Sequence, residues 1–313
     1  MTLTTPVLIP AVNPPLRVSD RILTLGSCFA DSMAQRMNTC YLQVVANPFG
    51  TLYNPLSIAE AIRMADLAPA DIEAALPLVQ HDGLWHSFAH HGAFSSARKE
   101  DLVSACTGAI ETLRETLAKA DLVIVTFGTA WIYERNGHVV ANCHKLPADT
   151  FTRRRLTTDE ILAAWTPILQ HYHDRRWLFT VSPIRHVRDG LHANSLSKAV
   201  LLLAVEQLVQ NNSNAAYFPA YELLMDELRD YRFYDADLVH PSDTAVQYIW
   251  ERFTQTWFDE QGRHQLDELH RLWLDEHHRI LHPDSHQART FAARLAARRS
   301  ALFALYPWLT TGE

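Results

Sequence analysis

The chain lacks the features that define several protein classes. Its 313 residues include only four cysteines without regular spacing, so the pattern does not indicate a disulfide framework. Glycine numbers only ten, which excludes a collagen-like repeat. The longest apolar runs, such as residues 199–205, are far too short to span a bilayer. Neither C-x-x-C nor H-E-x-x-H occurs, so the strong zinc motifs are missing as well.

Targeting and charge patterns are equally sparse. Residues 1–20 contain no basic region and no apolar run of the kind a signal peptide requires. We therefore expect a cytoplasmic protein with reduced thiols and no membrane association. The net charge of −7 with neutral histidines argues against a nucleic-acid partner.

The composition is otherwise that of a folded soluble protein, with one anomaly. Hydrophobic residues make up 48% of the chain and charged residues 20%, which excludes intrinsic disorder. The anomaly is 17 histidines, whose full protonation would reverse the sign of the net charge.

Apolar runs alternate with helical patterns along most of the chain. Five runs predict strands, at residues 21–25, 41–46, 122–127, 177–181 and 215–219, and the run at 122–127 is typical of a central buried strand. Helical patterns fall at residues 28–37, 57–67 with Ser57 as cap, 101–119, 195–209 and after Ser242. The alternation indicates an α/β fold with about five parallel strands covered on both faces.

Two regions fall outside this core. Residues 78–98 contain the turn pair Asp82-Gly83 and predict an inserted loop or hairpin. We expect a catalytic domain over residues 1–262 and a helical extension over 263–313. The extension, with a break at His282-Pro283, either wraps the core or forms a lid.

Polar residues that follow the predicted strands are the candidates for chemistry, because ligands bind at the carboxyl ends of parallel strands. Ser27 lies between a strand and a helix, where free N–H groups stabilise an oxyanion. The competing interpretation is a plain helix cap. Cys28 is the adjacent rival nucleophile, or simply a small buried residue.

Asp237 and His240 stand three residues apart just before a predicted helix. In a tight turn this spacing lets a carboxylate orient an imidazole, which can then deprotonate a serine. The alternative is a surface pair without catalytic role. Asp235 competes as the partner of His240, and Asp243 is a weaker competitor.

At these residues the chain resembles the GSCFA family, which is grouped with the GDSL-like or SGNH hydrolases. The string Gly26-Ser27-Cys28-Phe29-Ala30 carries the resemblance. Further similar blocks lie at residues 47–55, 127–131, 142–145, 180–183, 194–198 and 231–242. They span about residues 20–260, and no recognised motif covers the tail after about residue 265.

The resemblance implies a three-layer α/β/α, flavodoxin-like fold and serine-based ester chemistry. It makes Ser27 the nucleophile, His240 the base and Asp237 its partner, with the Gly50 N–H as an oxyanion donor.

The third block departs from the superfamily pattern, which usually has Gly-x-Asn. This chain has Gly128-Thr129-Ala130, so the amide donor is missing. Either Thr129, Asn54 or Asn142 substitutes for it, or the oxyanion hole is weaker. Losing one such donor typically costs about 2.7–4 kcal/mol of transition-state stabilisation.

Other polar residues of the blocks have open roles. His144, next to Lys145, contacts substrate or is structural, and His90 lines the cleft or is incidental. Arg185, His186 and Lys198 bind an acidic substrate group or are solvated charges.

We expect a serine-dependent ester hydrolase that acts on a small-molecule or carbohydrate ester and needs neither cofactor nor metal. The alternatives are an O-acyltransferase with the same triad, a non-catalytic ligand-binding member of the fold, and a metal-dependent hydrolase built from the histidines. The sequence fixes neither the acyl donor, the acceptor nor the oligomeric state.

Overall fold

The computed structural model describes residues 4–310. The outermost residues of the two expected domains, 1–3 and 311–313, lie outside this range. The strands are β1 (Arg21–Gly26), β2 (Gln43–Ala46), β3 (Leu78–His81), β4 (Leu84–Ser87), β5 (Leu122–Phe127), β6 (Trp131–Arg135), β7 (His138–Val140), β8 (Thr152–Arg155), β9 (Arg176–Val181) and β10 (Ala215–Tyr217). The helices are α1 (Cys28–Thr39), α2 (Pro55–Ala65), α3 (Ile72–Ala75), α4 (Lys99–Lys119), α5 (Thr158–His171), α6 (Leu191–Asn211), α7 (Ala220–Glu222), α8 (Asp243–Trp257), α9 (Glu260–Glu276) and α10 (His286–Leu305).

The central sheet contains five parallel strands in the order β2-β1-β5-β9-β10. Counted among themselves these strands run 2-1-3-4-5, the order of flavodoxin-like sheets. One face carries a core shared with α2, α4, α5 and α6, and the other a core shared with α1, α8 and α9. The predicted α/β architecture with five parallel strands is therefore confirmed.

Alternate residues of each strand feed the two cores. In β1, Leu23 and Leu25 face the first core and Ile22 faces the second. This period of two is what a strand buried on both faces requires.

The order in which strands are added to the sheet reverses between β1 and β5, and α/β sheets of this order bind ligands at that point. Gly26 pairs with Thr126 at the carboxyl ends of these two strands. A Cβ on Gly26 would lie 2.2 Å from the Thr126 carbonyl oxygen, and its φ of 138° is unfavourable for other residues. Glycine therefore lets the two strand ends approach closely, and Ser27 follows directly.

Two small antiparallel sheets lie outside the central sheet. β3 and β4 form the hairpin expected at Asp82-Gly83. A second small sheet, β7-β6-β8, was not predicted, although Asn136-Gly137 at positive φ is a strong hairpin signal. The helix α5 was missed too, despite a capping box between Thr157 and Glu160.

Two details of the helices differ from expectation. Asn54, not Ser57, caps α2, because the Asn54 side chain accepts a hydrogen bond from the Ser57 N–H. The helices α9 and α10 pack onto the core that α1 and α8 share, through Leu266, Leu269 and Leu302. They wrap the core rather than form a lid. Within residues 4–310, no helix is both long and apolar enough to cross a bilayer.

Candidate active site

A cleft of about 460 Å³ opens at the carboxyl ends of the central strands. Its lining includes Ser27 after β1, Asn54 after β2, Thr129 after β5, residues 184–189 after β9, and His240. Four sequence-predicted site residues, Ser27, Asn54, Thr129 and His240, thus share one cavity. Gly50, Asn142, His144 and Asp237 are not part of its lining.

Ser27 occupies the N-cap position of α1, but its side chain does not cap the helix. The residue is 1% exposed, and its hydroxyl oxygen has no hydrogen-bond partner among residues 4–310. Buried polar atoms without a partner are rare in folded proteins and call for a reason. The plain capping interpretation therefore fails, and the hydroxyl is left for a ligand in the cleft.

Cys28 lines the same cleft with a half-buried thiol. Burial raises the pKa of this thiol above its usual value, despite the nearby N–H groups of Cys28 and Phe29. A raised pKa keeps the sulfur protonated and weakens it as a nucleophile. The environment thus favours Ser27 over its neighbour.

Asp237 holds His240 by both of its oxygens. Oδ2 lies 2.6 Å from His240 Nδ1, and Oδ1 accepts the N–H groups of His240 and Val239 at 3.0 and 2.8 Å. The His240 N–H and imidazole, followed by the Val239 N–H, lower the pKa of Asp237 to about 2. The carboxylate therefore stays charged and fixes Nδ1 as the protonated ring nitrogen, which leaves Nε2 as an acceptor.

Asp235 and Asp243, the two other carboxylates considered as partners of His240, make different contacts. The Asp235 N–H donates to the His240 carbonyl at 2.9 Å, so Asp235 shapes the turn through its backbone. Asp243 lies 3.5 Å from Arg36 in an exposed ion pair. Asp237 is therefore the partner of the imidazole.

The turn between Asp237 and His240 stores backbone strain. Leu238 adopts a φ of 58°, in the left-handed region that a leucine rarely enters. Such a residue costs on the order of 1–3 kcal/mol, and these conformations cluster at functional sites.

Ser27 and His240 face one cleft without a hydrogen bond between them, because the Ser27 hydroxyl has no partner. Catalytic hydrogen bonds are often long in structures without substrate and tighten when substrate binds. Among residues 4–310, neither the Ser27 hydroxyl nor His240 Nε2 has a hydrogen-bond partner.

The Gly50 N–H is not free to act as an oxyanion donor, the role that the resemblance implied. Its N–H donates to the Asn47 carbonyl at 2.7 Å and is already used in a turn. A Cβ at this position would lie 2.3 Å from Cβ of His91, so the glycine is required by packing. We therefore assign no oxyanion role to Gly50.

The three candidates for the missing amide donor differ in position. The Thr129 hydroxyl lies 3.1 Å from the Ser197 hydroxyl and accepts the Trp131 N–H. Asn142 is not part of the cleft lining and accepts the His144 N–H at 2.9 Å. Asn54 lines the cleft and gives one amide N–H to the Ser57 hydroxyl at 2.9 Å. Its second amide N–H makes Asn54 the best-placed replacement.

His90 lies in the packed interior of the insert region, residues 78–98, and His144 packs against its His86 and Phe88. His144 Nε2 is 2.7 Å from the Ser87 carbonyl oxygen. His90 is fully buried, and its ring stacks on Phe49 with centroids 4.2 Å apart. Burial lowers the pKa of His90 to about 3. Both are structural, and within residues 4–310 no cluster of three or more His, Cys, Asp or Glu is arranged to hold a metal ion.

Lys198 and His186 have different environments, although the same two roles were predicted for both, binding of an acidic substrate group or a solvated charge. Lys198 is 1% exposed, and its ammonium donates to the carbonyls of Gly128 and Ser182, both at 2.7 Å. It ties the ends of β5 and β9 together and does not line the cleft. His186 does line the cleft, and burial followed by the Lys198 charge lowers its pKa to about 4.

An aromatic wall was missed by sequence reasoning. Trp131 and Tyr133, alternate residues of β6, line the cleft together with Arg153 of β8. The Arg153 guanidinium lies 4.5 Å from the Trp131 ring centroid and 5.4 Å from that of Tyr133. The alternation of large aromatic residues was the available signal.

Fold and cleft together define an α/β protein with a serine and an aspartate-oriented histidine at the switch point of its sheet. The family model described as the GSCFA family matches residues 21–253, and the chain belongs to this family. No curated protein and no solved structure matches the chain.

Proposed function

We propose that the chain is a serine-dependent ester hydrolase of the SGNH type, with Ser27, His240 and Asp237 as its triad. One observation carries the proposal. A buried, unpartnered serine hydroxyl and an imidazole oriented by a carboxylate line the same cleft. The 2-1-3-4-5 strand order, with Ser27 at the end of its second strand in space, supports the superfamily placement.

The geometry supports acyl transfer in two steps. His240 Nε2 takes the proton of the Ser27 hydroxyl as its oxygen attacks the ester carbonyl. Asp237 keeps the imidazole in place and stabilises its charged form. The imidazolium then protonates the departing alkoxide as the C–O bond breaks. Water, deprotonated by His240, resolves the seryl ester in the same way.

The oxyanion is expected to meet the N-terminal N–H groups of α1 and the free amide N–H of Asn54. The first N–H groups of a helix have no partner within the helix, and their dipole favours negative charge. This donor set replaces the Gly50 N–H and the absent third-block asparagine. A cleft of about 460 Å³ has the size of small-molecule sites, which fits a small or carbohydrate ester.

The adjacent residues Ser27 and Cys28 provide a matched test. Hydrolysis of 4-nitrophenyl acetate is measured for wild type, Ser27→Ala and Cys28→Ala. We expect Ser27→Ala to lower kcat by roughly 10³-fold or more, and Cys28→Ala to keep most of the activity. Thermal melts check that both variants fold. A Ser27→Ala protein as active as wild type would refute Ser27 as the nucleophile.

A further inference from the structure

The cleft is positively charged in an acidic chain. Its lining holds three arginines, Arg153, Arg185 and Arg188, against a single carboxylate, Asp189. The whole chain carries a net charge of −7. A cleft lined by one sign of charge concentrates ligands of the opposite sign.

Arg153 is already committed. Its guanidinium forms an ion pair with Asp189 at 2.5 Å and stacks over Trp131. This pair is neutral as a unit and builds the wall of the cleft. The unbalanced positive charge therefore belongs to Arg185 and Arg188.

Arg185 is fixed beside the catalytic turn. Its guanidinium stacks on Tyr234 at 4.5 Å and donates to the Leu238 carbonyl, while its backbone N–H donates to the Val239 carbonyl. Its Nε is buried and has no hydrogen-bond partner among residues 4–310. A buried N–H without an acceptor is costly, and an anion is the acceptor that an arginine binds best.

Arg188 lines the same cleft from an exposed position. Within residues 4–310 it makes no side-chain hydrogen bond and no ion pair to a carboxylate. Its fork of donors is therefore available to a ligand.

We propose that the substrate is an ester whose alcohol part carries a carboxylate or a phosphate, bound by Arg185 and Arg188. This rests on the proposed function. His240 must protonate the leaving alcohol, so the alcohol part lies on the His240 side of the scissile bond. Arg185 bonds the two residues that precede His240, which places its charge on that same side.

The test compares 3-acetoxybenzoate with 3-acetoxybenzamide, two esters that differ in the charge of the leaving group. We expect a higher kcat/KM for the benzoate, and about a tenfold smaller preference in Arg188→Gln. Arg289→Gln removes the same charge from exposed α10, away from the cleft, and should keep the preference. Equal kcat/KM for both esters would overturn the proposal, as would a preference for charge on the acyl side, measured with mono-4-nitrophenyl succinate against 4-nitrophenyl valerate.

Binding separates this inference from the proposed function. Titration of wild type with 3-hydroxybenzoate and 3-hydroxybenzamide involves no chemistry. Tighter binding of the benzoate, weakened in Arg188→Gln and not in Arg289→Gln, would support the anion site even if no ester is hydrolysed. Hydrolysis without any preference for the anion in either assay would support the hydrolase and refute the anion site.

Discussion

His240 in the cleft and His90 in the insert region have opposite environments. His240 is about half exposed, lines the cleft and bonds the Asp237 carboxylate through Nδ1, and among residues 4–310 its Nε2 has no hydrogen-bond partner. His90 is fully buried against Phe49, with Nδ1 on the Ser87 hydroxyl. A functional imidazole needs an oriented ring and an accessible nitrogen, and only His240 of this pair has both. The excess of 17 histidines is therefore not itself a sign of a site.

The largest expected effect is a contrast between two substitutions: loss of His240 should impair activity, whereas loss of His90 should impair stability. His240→Ala should lower kcat by roughly 10³–10⁴-fold, because the general base is lost. Its melting temperature should stay near that of wild type, because the side chain is exposed. His90→Ala should do the reverse and lower the free energy of unfolding by about 2–4 kcal/mol through the cavity beside Phe49. Ester hydrolysis and denaturant unfolding check both; the reciprocal result would refute the contrast.

The next largest effect is a loss of stability in acid, which arises from imidazoles that burial keeps neutral. Burial lowers the pKa of His90 to about 3 and that of His186 to about 4. Both rings stay neutral in the folded chain but take up protons in the unfolded chain below about pH 6.5. The free energy of unfolding should therefore fall as pH drops from about 6.5 toward 4, by at most about 1.4 kcal/mol per pH unit for each ring.

Two substitutions test whether His90 causes this pH dependence of stability. His90→Phe keeps the stacking on Phe49 and removes one titrating group, so the fall of unfolding free energy with acid should become less steep. His264→Gln changes an exposed histidine of α9 and should leave the slope as in wild type. Urea unfolding at a series of pH values measures both. Identical slopes in all three proteins would mean that His90 does not carry the effect.

The smallest expected effect concerns the strained turn that holds His240. Leu238→Asn should be neutral or stabilising by a few tenths of a kcal/mol, because asparagine tolerates positive φ. Leu238→Ile, of equal size but β-branched, should lower the free energy of unfolding by about 1–2 kcal/mol. Denaturant unfolding of the pair measures the difference. Equal stability of the two variants would show that the turn relaxes without strain.

The sequence predicted the parts of the molecule that local pattern controls. The three inner strands β1, β5 and β9 are largely apolar, buried runs. Because all five strands are parallel, their carboxyl ends meet at one edge of the sheet. The Asp237-x-x-His240 spacing forms a hydrogen-bonded pair within a single turn, so three residues of chain suffice to specify it.

The parts that long-range contacts control were not predicted. The aromatic wall depends on β6 pairing with β8, whose strands are short and separated by the β7 hairpin. Gly50 matches the glycine of the family block, yet its N–H donates to the Asn47 carbonyl. Lys198, predicted as a substrate-binding or solvated charge, is buried against two carbonyls. A motif states which residue is present, whereas the partner of its polar atoms depends on tertiary packing.

The central claim is that the Ser27 hydroxyl is a nucleophile activated by His240. Its most direct test is labelling of the purified chain with a fluorophosphonate, followed by mass spectrometry of the modified peptide. We predict one phosphonylated residue, Ser27, in wild type, with no labelling of Ser27→Ala and greatly slowed labelling of His240→Ala. Wild-type protein that remains unlabelled at Ser27 while folded, or His240→Ala protein labelled as fast as wild type, would contradict the account.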